Sequence, residues 1–425
     1  MHTIRELDNG IKVIMHNIPY LKSATLGIII NSGSFFENEM NNGVSHFIEH
    51  MLFKGTKKRN SREIAEAMDD IGGQINAFTS KEHTCFYGKV IDEHLPIAID
   101  VLGDMITNSN FDEKEIQKEK GVIIEEINMY KDFPEDLVFE MLTEQTYRDI
   151  TLAYPILGTT DTVRSFNKDI LYTYFKKRYT PDQMVISIVG SFSKDKTFKL
   201  LNETFGSFNR NNKCSGDHIS YDFEPGHSVN GLSKDIEQLN LAMGFQGPPT
   251  YSDDVFPMMI VNNIIGGTIS SRLFQEIRED RGLVYTIESS LSSYNGAGMF
   301  SIYAGLTQEN AVAVAELIKS EIDRLRDKLI SDAELEKAKE QLKGSYILSL
   351  EGTFNKMYEL GKNLLHDKPI ETPDMVLHHI NNIEMGDIGK VVKKYLDWKQ
   401  MNLSYVGPVE NTASFDEKIE NIFYR

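Results

Sequence analysis

Hydrophobic residues recur at helical spacing in a segment that starts at residue 44. They fall at i, i+3, i+4, i+7 and i+8, and they are Val44, Phe47, Ile48, Met51 and Leu52. This spacing predicts an amphipathic helix with its apolar stripe on one side. We expect Asn41 or Asn42 to cap the start of the helix and Gly55 to end it after Lys54.

A second helical pattern covers residues 111–130, and the apolar residues that repeat along it are Ile116, Ile123 and Ile127. Asp112 is suited to cap its start. Glu119 and Glu126 are seven residues apart, or two helical turns, so they share this largely apolar face. Because an unpaired buried carboxylate is costly, both glutamates need partners.

Strand patterns occur in the same order in both halves of the chain. The first residues predict a β-hairpin that turns at Asn9-Gly10, and not a secretion signal. The strand predicted at 24–31 has its counterpart at 239–246. In each half a helix, a pair of strands and several further helices follow, which indicates an internal repeat.

The repeat predicts two homologous domains, at residues 1–206 and 231–425, joined by a polar, glycine-rich linker at 207–230. Strands mixed with runs of helices are typical of an α+β fold, so we expect each domain to be a mostly antiparallel sheet covered by helices on one face. In the second domain Ala338 and Ser345 stand where the first has its two glutamates. The second domain is therefore predicted to lack the chemistry of the first.

Candidate chemistry starts with His46 and His50, which are four residues apart on the first predicted helix. Imidazoles at this spacing lie on one helix face and can bind one transition-metal ion, usually Zn²⁺. Glu49 lies beside them and could hold a metal-bound water, in the H-x-x-E-H order. The alternative is two surface histidines on an amphipathic helix.

A third metal ligand should be a carboxylate or a histidine elsewhere in the chain. Glu119 and Glu126 are the best candidates, but their separation of about 10.5 Å along the helix means that they do not ligate one ion equally. One would bind the metal, and the other would orient a histidine or a water. Spacing alone leaves open which is which.

Composition narrows the possible partners and the location. The 45 basic and 63 acidic residues give a net charge of −18, which argues against nucleic acid as a partner. Two cysteines, Cys85 and Cys214, form no disulfide framework and are typical of a reducing compartment, so we expect a cytoplasmic protein. No apolar run is long enough to cross a bilayer, so no membrane association is expected.

The segments HFIEHMLFKGT and QKEKGVIIEEINMYKDFPED resemble the pitrilysin and insulinase family of inverted zinc peptidases, in particular bacterial members similar to the catalytic subunit of mitochondrial processing peptidase. The resemblance implies the processing-peptidase-like roll in both domains. It also implies that Glu126 is the third zinc ligand with His46 and His50, and that Glu119 is a supporting carboxylate. Glu49 would be the general base.

Two further segments extend the resemblance. The segment GGQINAFT is similar to the family's substrate-binding strand, which implies roles for Gly73, Asn76, Ala77 and Phe78. The segment 278–285 is similar to an element that contributes an arginine and a tyrosine to substrate and transition-state binding, here Arg278 and Tyr285. Without the family, the glycines could form a turn, Arg278 a surface salt bridge, and Tyr285 part of a sheet core.

The resemblance implies an endopeptidase with one Zn²⁺ per chain that cleaves extended or unfolded peptides inside a closed chamber. Members of this length act as homodimers or as heterodimers with a related subunit. One alternative is a non-catalytic partner or scaffold subunit of a heterodimeric peptidase. Another is a metal-dependent hydrolase of a different substrate.

Overall fold

The structure is a computed structural model that describes residues 2–209, 213–214, 221–223 and 226–424. Much of the predicted linker, at 210–212, 215–220 and 224–225, lies outside the described residues. The strands are β1 Thr3–Glu6, β2 Lys12–Asn17, β3 Ser23–Ile30, β4 Gln74–Thr79, β5 Thr84–Ile91, β6 Met184–Gly190, β7 Ser228–Ser233, β8 Leu239–Gln246, β9 Val284–Ser293, β10 Gly298–Leu306 and β11 Asn402–Gly407.

The helices include both that were predicted from apolar spacing. They are α1 Val44–Leu52, α2 Ser61–Asp69, α3 Leu95–Asn108, α4 Glu113–Asp132, α5 Pro134–Thr146, α6 Thr160–Ser165, α7 Lys168–Arg178, α8 Lys194–Phe205, α9 Val255–Ile265, α10 Ala311–Lys328, α11 Asp332–Ser349, α12 Thr353–Leu365, α13 Pro373–Asn381, α14 Met385–Tyr395 and α15 Thr412–Phe423. Asp112 Oδ1 accepts from the backbone N–H of Lys114 at 2.8 Å, so the predicted start of α4 is confirmed.

The chain forms two compact units that interleave along the sequence. Unit 1 contains the described residues of Met1–Ile127, Tyr154–Ile219 and Leu348–Glu371. Unit 2 contains those of Asn128–Ala153, Ser220–Ile347 and Thr372–Arg425. The division of the chain into homologous domains at 1–206 and 231–425 stays a prediction.

Each unit is built on one mixed but mainly antiparallel sheet, as the predicted fold class requires. The order in unit 1 is β1-β2-β6-β3-β5-β4, with only β2 and β6 parallel among the described strands. The order in unit 2 is β7-β11-β8-β10-β9, and of the strand pairs that the structure describes there, only β7 and β11 are parallel. The predicted first hairpin is present as β1 and β2, and Gly10 takes the left-handed backbone (φ 97°) that its turn needs.

Helices bury the apolar face of each sheet, and the predicted α+β class is confirmed. In unit 1 the core includes Leu26 and Ile28 of β3, Phe47 and Ile48 of α1, and Leu102 of α3. Positions that alternate along β3 face opposite sides of the sheet, so its other face also presents apolar side chains. That second face is covered too, by one helix.

The covering helix of unit 1 is α12, which packs very close to the sheet. A Cβ on Gly27 would lie 2.1 Å from Sδ of Met357, and a Cβ on Gly361 would lie 2.2 Å from Cδ1 of Ile29. Ser187 donates its hydroxyl to the carbonyl of Met357 at 2.7 Å. The glycines therefore permit an approach that any larger residue would obstruct.

The covering helix of unit 2 is α5. Gln145 of α5 donates to the hydroxyl of Ser228 at 2.6 Å and accepts from the hydroxyl of Ser404 at 2.8 Å, so it is bonded to both β7 and β11. In sequence α5 lies in the first half of the chain, whereas α12 lies in the second half. Each sheet thus receives the helix on its second face from the other half of the sequence.

The end of α12 is fixed to the β4–β5 turn by two histidines. Nε2 of His83 and Nε2 of His366 are 2.6 Å apart; His83 is buried and His366 is partly buried. A hydrogen bond between two ring nitrogens requires one donor and one acceptor, so at least one ring is neutral. Burial, followed by the charges of Lys362 and Lys368, lowers the pKa of His366 to about 4 against the opposing charge of Asp367.

We expect His366→Gln to weaken the pH dependence of stability. The unfolded chain takes up this proton near its usual pKa of 6.5 and the folded chain only near 4, so the wild type loses free energy of unfolding as pH falls through that window. Glutamine keeps a polar side chain but does not titrate. Denaturant unfolding at about pH 7 and about pH 4.5 should show the gap between wild type and variant narrowing on acidification. A constant gap would contradict the contribution of this histidine.

Candidate metal centre

The start of α1 is held by a buried carboxylate from outside the helix. Glu37 accepts hydrogen bonds from the backbone N–H groups of Gly43 at 2.6 Å and Ser45 at 2.8 Å, and from the side-chain amide of Asn42 at 2.9 Å. The two backbone N–H groups belong to a helix start, which leaves such donors unsatisfied within the helix, and the helix dipole stabilises a negative charge there. The predicted cap by Asn41 or Asn42 was wrong, because Asn42 donates to the carboxylate that does the capping.

Gly43 is required by the backbone at this start. Its φ is 92°, and a Cβ there would lie 2.5 Å from the carbonyl oxygen of Leu157. Gly158 lies against it with φ 77°. Two glycines in left-handed conformations therefore let the loop before α6 touch the start of α1 and set the direction in which the helix leaves.

The two histidines of α1 and one glutamate of α4 converge. Nε2 of His46 is 3.7 Å and Nε2 of His50 is 3.6 Å from Oε2 of Glu126. One donor atom from each of the three side chains lies within 4.8 Å of the other two. These separations are too long for hydrogen bonds, but they are close to the roughly 3.3–3.6 Å between ligands in a tetrahedral zinc site with bonds of about 2.0–2.2 Å.

Glu119 contacts the ring nitrogen of His50 that faces away from Glu126, and this contact fixes the orientation of the ring. Oε1 of Glu119 is 2.8 Å from Nδ1 of His50, and Oε2 is 2.8 Å from Nζ of Lys54. With Nδ1–H donating to Glu119, the lone pair of His50 Nε2 faces Glu126. Burial acts to raise the pKa of Glu119, but the hydrogen bonds from His50 and Lys54 outweigh it, and the pKa lies below its usual value.

The electrostatics of the three converging side chains suit a cation. Burial, followed by the neighbouring His50, lowers the pKa of His46 to about 3, so this imidazole is neutral and able to ligate. Burial and the charge of Glu119 raise the pKa of Glu126, which indicates a carboxylate in need of positive charge. His46 is 7% exposed and His50 is partly buried, so the alternative of two surface histidines does not describe His46. This donor set fits a metal ion.

Glu49 lies on α1 next to His50 but outside the group of three converging side chains. It is 9% exposed, and its Oε2 accepts a hydrogen bond from the hydroxyl of Thr79 at 2.5 Å. Burial raises the pKa of Glu49, and the bond from Thr79 opposes this shift. A buried carboxylate that is not needed as a ligand is free to accept and return a proton.

The strand predicted to bind substrate is β4, which lies at the edge of the sheet. Gly73 directly precedes it, and Asn76, Ala77 and Phe78 lie within it. The backbone N–H of Ala77 donates to Oδ1 of Asn76 at 2.8 Å. The Asn76 side chain therefore accepts from an N–H group that is not bonded to the neighbouring strand β5. The ring of Phe78 packs edge-on against Tyr358 at a centroid distance of 5.3 Å.

Arg278 and Tyr285 belong to unit 2. Arg278 lies in a short π-helical turn, Phe274–Glu279, with its guanidinium 4.7 Å from the ring centre of Phe274. Tyr285 on β9 is 72% exposed, so it is not part of a sheet core. These observations describe each side chain within unit 2 only. A part for Arg278 and Tyr285 in substrate binding stays a prediction.

Two residues that matter here received no role from the sequence. Glu37 lies seven residues before the first residue of α1, too far along the chain for the usual capping signals to point to it. Thr79 ends the GGQINAFT segment, but strand spacing does not reveal that its hydroxyl reaches Glu49. Both act through loop or strand geometry that the sequence pattern does not encode.

The chain was compared with models of protein families and with known proteins, and both comparisons find matches. Residues 12–160 match the model of the insulinase family, peptidase family M16, and residues 165–342 match the model described as the peptidase M16 inactive domain. A Bacillus subtilis protein described as the uncharacterized zinc protease YmxG is 42% identical over 96% of this chain and 98% of its own length. The chain belongs to the insulinase (M16) family.

Solved structures agree with the M16 fold. A protease from Helicobacter pylori superposes with a TM-score of 0.90 at 20% identity, over 96% of this chain and 99% of its own. A chain of complex III2 from Candida albicans superposes with a TM-score of 0.83 at 18% identity, over 99% of both chains. Within the described ranges, none of the helices combines the length and apolar character that a membrane crossing requires.

We expect Glu37→Gln to weaken zinc binding although Glu37 is not a ligand. An amide has one acceptor oxygen, so its NH₂ must face a backbone N–H of Gly43 or Ser45 and the helix start must shift. A mismatch of this kind costs about 1–3 kcal/mol, and we expect zinc affinity to fall about 10-fold, as measured by competition with a chromogenic chelator.

Asp104→Asn is the matched control for this variant. Asp104 is equally buried and accepts from Thr56 at 2.7 Å and from Arg59 at 2.9 Å, away from α1. Its substitution should lower the thermal midpoint without changing zinc affinity. If Glu37→Gln behaves in the same way as this control, Glu37 stabilises the fold but does not position the histidines.

Proposed function

We propose that this protein is a zinc-dependent endopeptidase. The observation that carries the proposal is the convergence of His46, His50 and Glu126 beside a buried Glu49 that is not a ligand. Three protein ligands leave a tetrahedral ion one open position, which is the arrangement of catalytic zinc sites. Membership of a peptidase family and the zinc-protease description of the Bacillus relative support the same reading.

The chain's own residues divide the work of peptide hydrolysis. His46, His50 and Glu126 hold one zinc ion, and Glu119 keeps the His50 ring in the ligating tautomer. Zinc, when bound, supplies Lewis acidity that makes a water acidic and polarises the scissile carbonyl. Glu49 accepts the proton of the attacking water and delivers it to the leaving amine, acting first as base and then as acid.

The substrate in this proposal is an extended or unfolded peptide that adds to the free edge of β4. Backbone pairing recognises any extended chain, so the selectivity for sequence is broad. The peptide carbonyl would take the Ala77 N–H that Asn76 now occupies. Gly73 and Phe78 flank this edge. Arg278 and Tyr285 supply a cation and a hydroxyl to the substrate and the developing oxyanion.

We further propose that the protein works in the cytoplasm as a homodimer or with a related subunit, enclosing a chamber that admits flexible peptides. The assembly and the chamber rest on the family resemblance, and the location rests on the low cysteine content. Among the described residues one group of three potential ligands occurs, which supports one zinc ion per chain. The match of residues 165–342 to a domain described as inactive supports a single catalytic centre per chain, in the first half of the sequence.

A non-catalytic partner or scaffold role is the second candidate, since a chain of complex III2 shares the fold. Such a role does not require zinc ligands or a general base. Here His46, Glu49, His50 and Glu126 are all present, and the three proposed ligands converge. This favours catalysis.

We expect Glu49→Gln to keep zinc and lose peptide cleavage. The amide cannot accept a proton from water, so turnover of an unfolded peptide library should fall about 10²- to 10⁴-fold while zinc affinity stays within about 3-fold. Chelation of the wild type should abolish cleavage, and added zinc should restore it. Wild-type turnover by the variant would refute the role of Glu49 as the base.

Glu126→Ala and Glu119→Ala should differ in zinc affinity. The first removes a donor atom and should lose zinc almost completely. The second removes only the support of His50 and should weaken binding about 10- to 100-fold. Glu125→Ala, an exposed neighbour on α4, is the control and should bind zinc as the wild type does. The reverse order would mean that the roles of Glu119 and Glu126 are exchanged.

A further inference from the structure

Thr79 connects the edge strand to the proposed general base. It is the last residue of β4, and its hydroxyl donates to Oε2 of Glu49 at 2.5 Å. A hydrogen bond to a carboxylate at this distance is of the strong, charge-assisted kind. The side chain is partly buried, and Glu49 is buried.

The hydroxyl network leaves the Thr79 proton available for Glu49. Thr84 lies opposite Thr79 on β5, with the two hydroxyl oxygens 3.3 Å apart. The single proton of the Thr84 hydroxyl is donated to the carbonyl of Ser32 at 2.8 Å. The Thr79 hydroxyl therefore has two possible acceptors, the Thr84 hydroxyl at 3.3 Å and the Glu49 carboxylate at 2.5 Å. The carboxylate is the stronger acceptor because it is closer and charged.

The backbone of Thr79 lies on the free edge of the sheet. The N–H of Ser80 donates to the carbonyl of His83 at 2.7 Å, so residues 80 and 83 form a hydrogen-bonded pair of the ladder. Antiparallel pairs alternate, which makes Thr79 and Thr84 a non-hydrogen-bonded pair. The N–H and C=O of Thr79, like those of Ala77, consequently point away from β5. The bond from the Ala77 N–H to Asn76 is consistent with this alternation.

We propose that Thr79 is a positioning residue that fixes the Glu49 carboxylate relative to the strand on which the peptide binds. One residue would offer its backbone to the peptide and its hydroxyl to the base, so the register of the bound strand and the position of the proton acceptor are set together. The proposal rests on the proposed function, because it assigns Glu49 the role of base.

Thr79→Val tests the proposal because valine has the same shape and donates no hydrogen bond. We expect kcat for a peptide substrate to fall about 10- to 100-fold, the loss that removal of one hydrogen bond to a charged group produces. KM and zinc affinity should stay within about 3-fold, and Thr79→Ser, which keeps the hydroxyl, should retain most of kcat. In a Glu49→Gln background, Thr79→Val should cause no further loss.

Thr25→Val is the matched control. Thr25 is a buried threonine of the same sheet whose hydroxyl bonds to that of Thr353 at 2.8 Å, remote from the base in the hydrogen-bond network. This variant should keep wild-type kcat. An unchanged kcat in Thr79→Val, an equal fall in Thr79→Ser, or a parallel loss of zinc affinity would each overturn the proposal.

A crystal structure of Thr79→Val separates this proposal from the proposed function, since it needs no turnover. We expect the Glu49 side chain to leave the position it has in the wild type, and an unmoved Glu49 would overturn the positioning role. Failure of the proposed function has a different signature. In that case Glu49→Gln would cleave peptides as fast as the wild type, whatever Thr79 does.

Discussion

The hydrogen bond between Nδ1 of His50 and the buried carboxylate of Glu119 is the interaction on which the centre depends. It joins α1 to α4 and fixes the His50 tautomer, and it directs Nε2 towards Glu126, which lies two turns further along the same face of α4. Glu119 can remain charged in the interior because Lys54 neutralises its second oxygen. A buried carboxylate with two partners can stay in place before any metal arrives, so the geometry is prepared by the protein itself.

Much of the centre could be predicted from the sequence because helical periodicity is a local property. The spacing of His46 and His50 places both rings on one side of α1, and the two-turn separation of Glu119 and Glu126 requires different roles for them. The structure agrees with both inferences. What spacing could not decide was which glutamate meets the histidines, because that depends on how far α4 is displaced along its axis relative to α1. The family resemblance supplied that choice.

The features that sequence reasoning missed all depend on the path of the chain between elements. Glu37 reaches the start of α1 only because the intervening loop folds back. His366 meets His83 only because α12, from the second half of the sequence, covers the second face of the sheet. The predicted α+β class is confirmed. The prediction placed helices on one face of each sheet, so it did not include the helix from the other half of the chain that covers the second face. Tertiary geometry supplied these contacts.

The two halves also show how the fold and the chemistry can be separated. Helix α11 occupies the second-half position predicted for a counterpart of α4, yet it carries Ala338 and Ser345 where the glutamates would stand. Ala338 is buried, as an apolar residue on this face should be. Removing a charged pair from such a face removes a desolvation cost as well as a function, so the architecture persists without it. In unit 1, α4 bears two acids whose burial is compensated by histidines, a lysine and the proposed zinc.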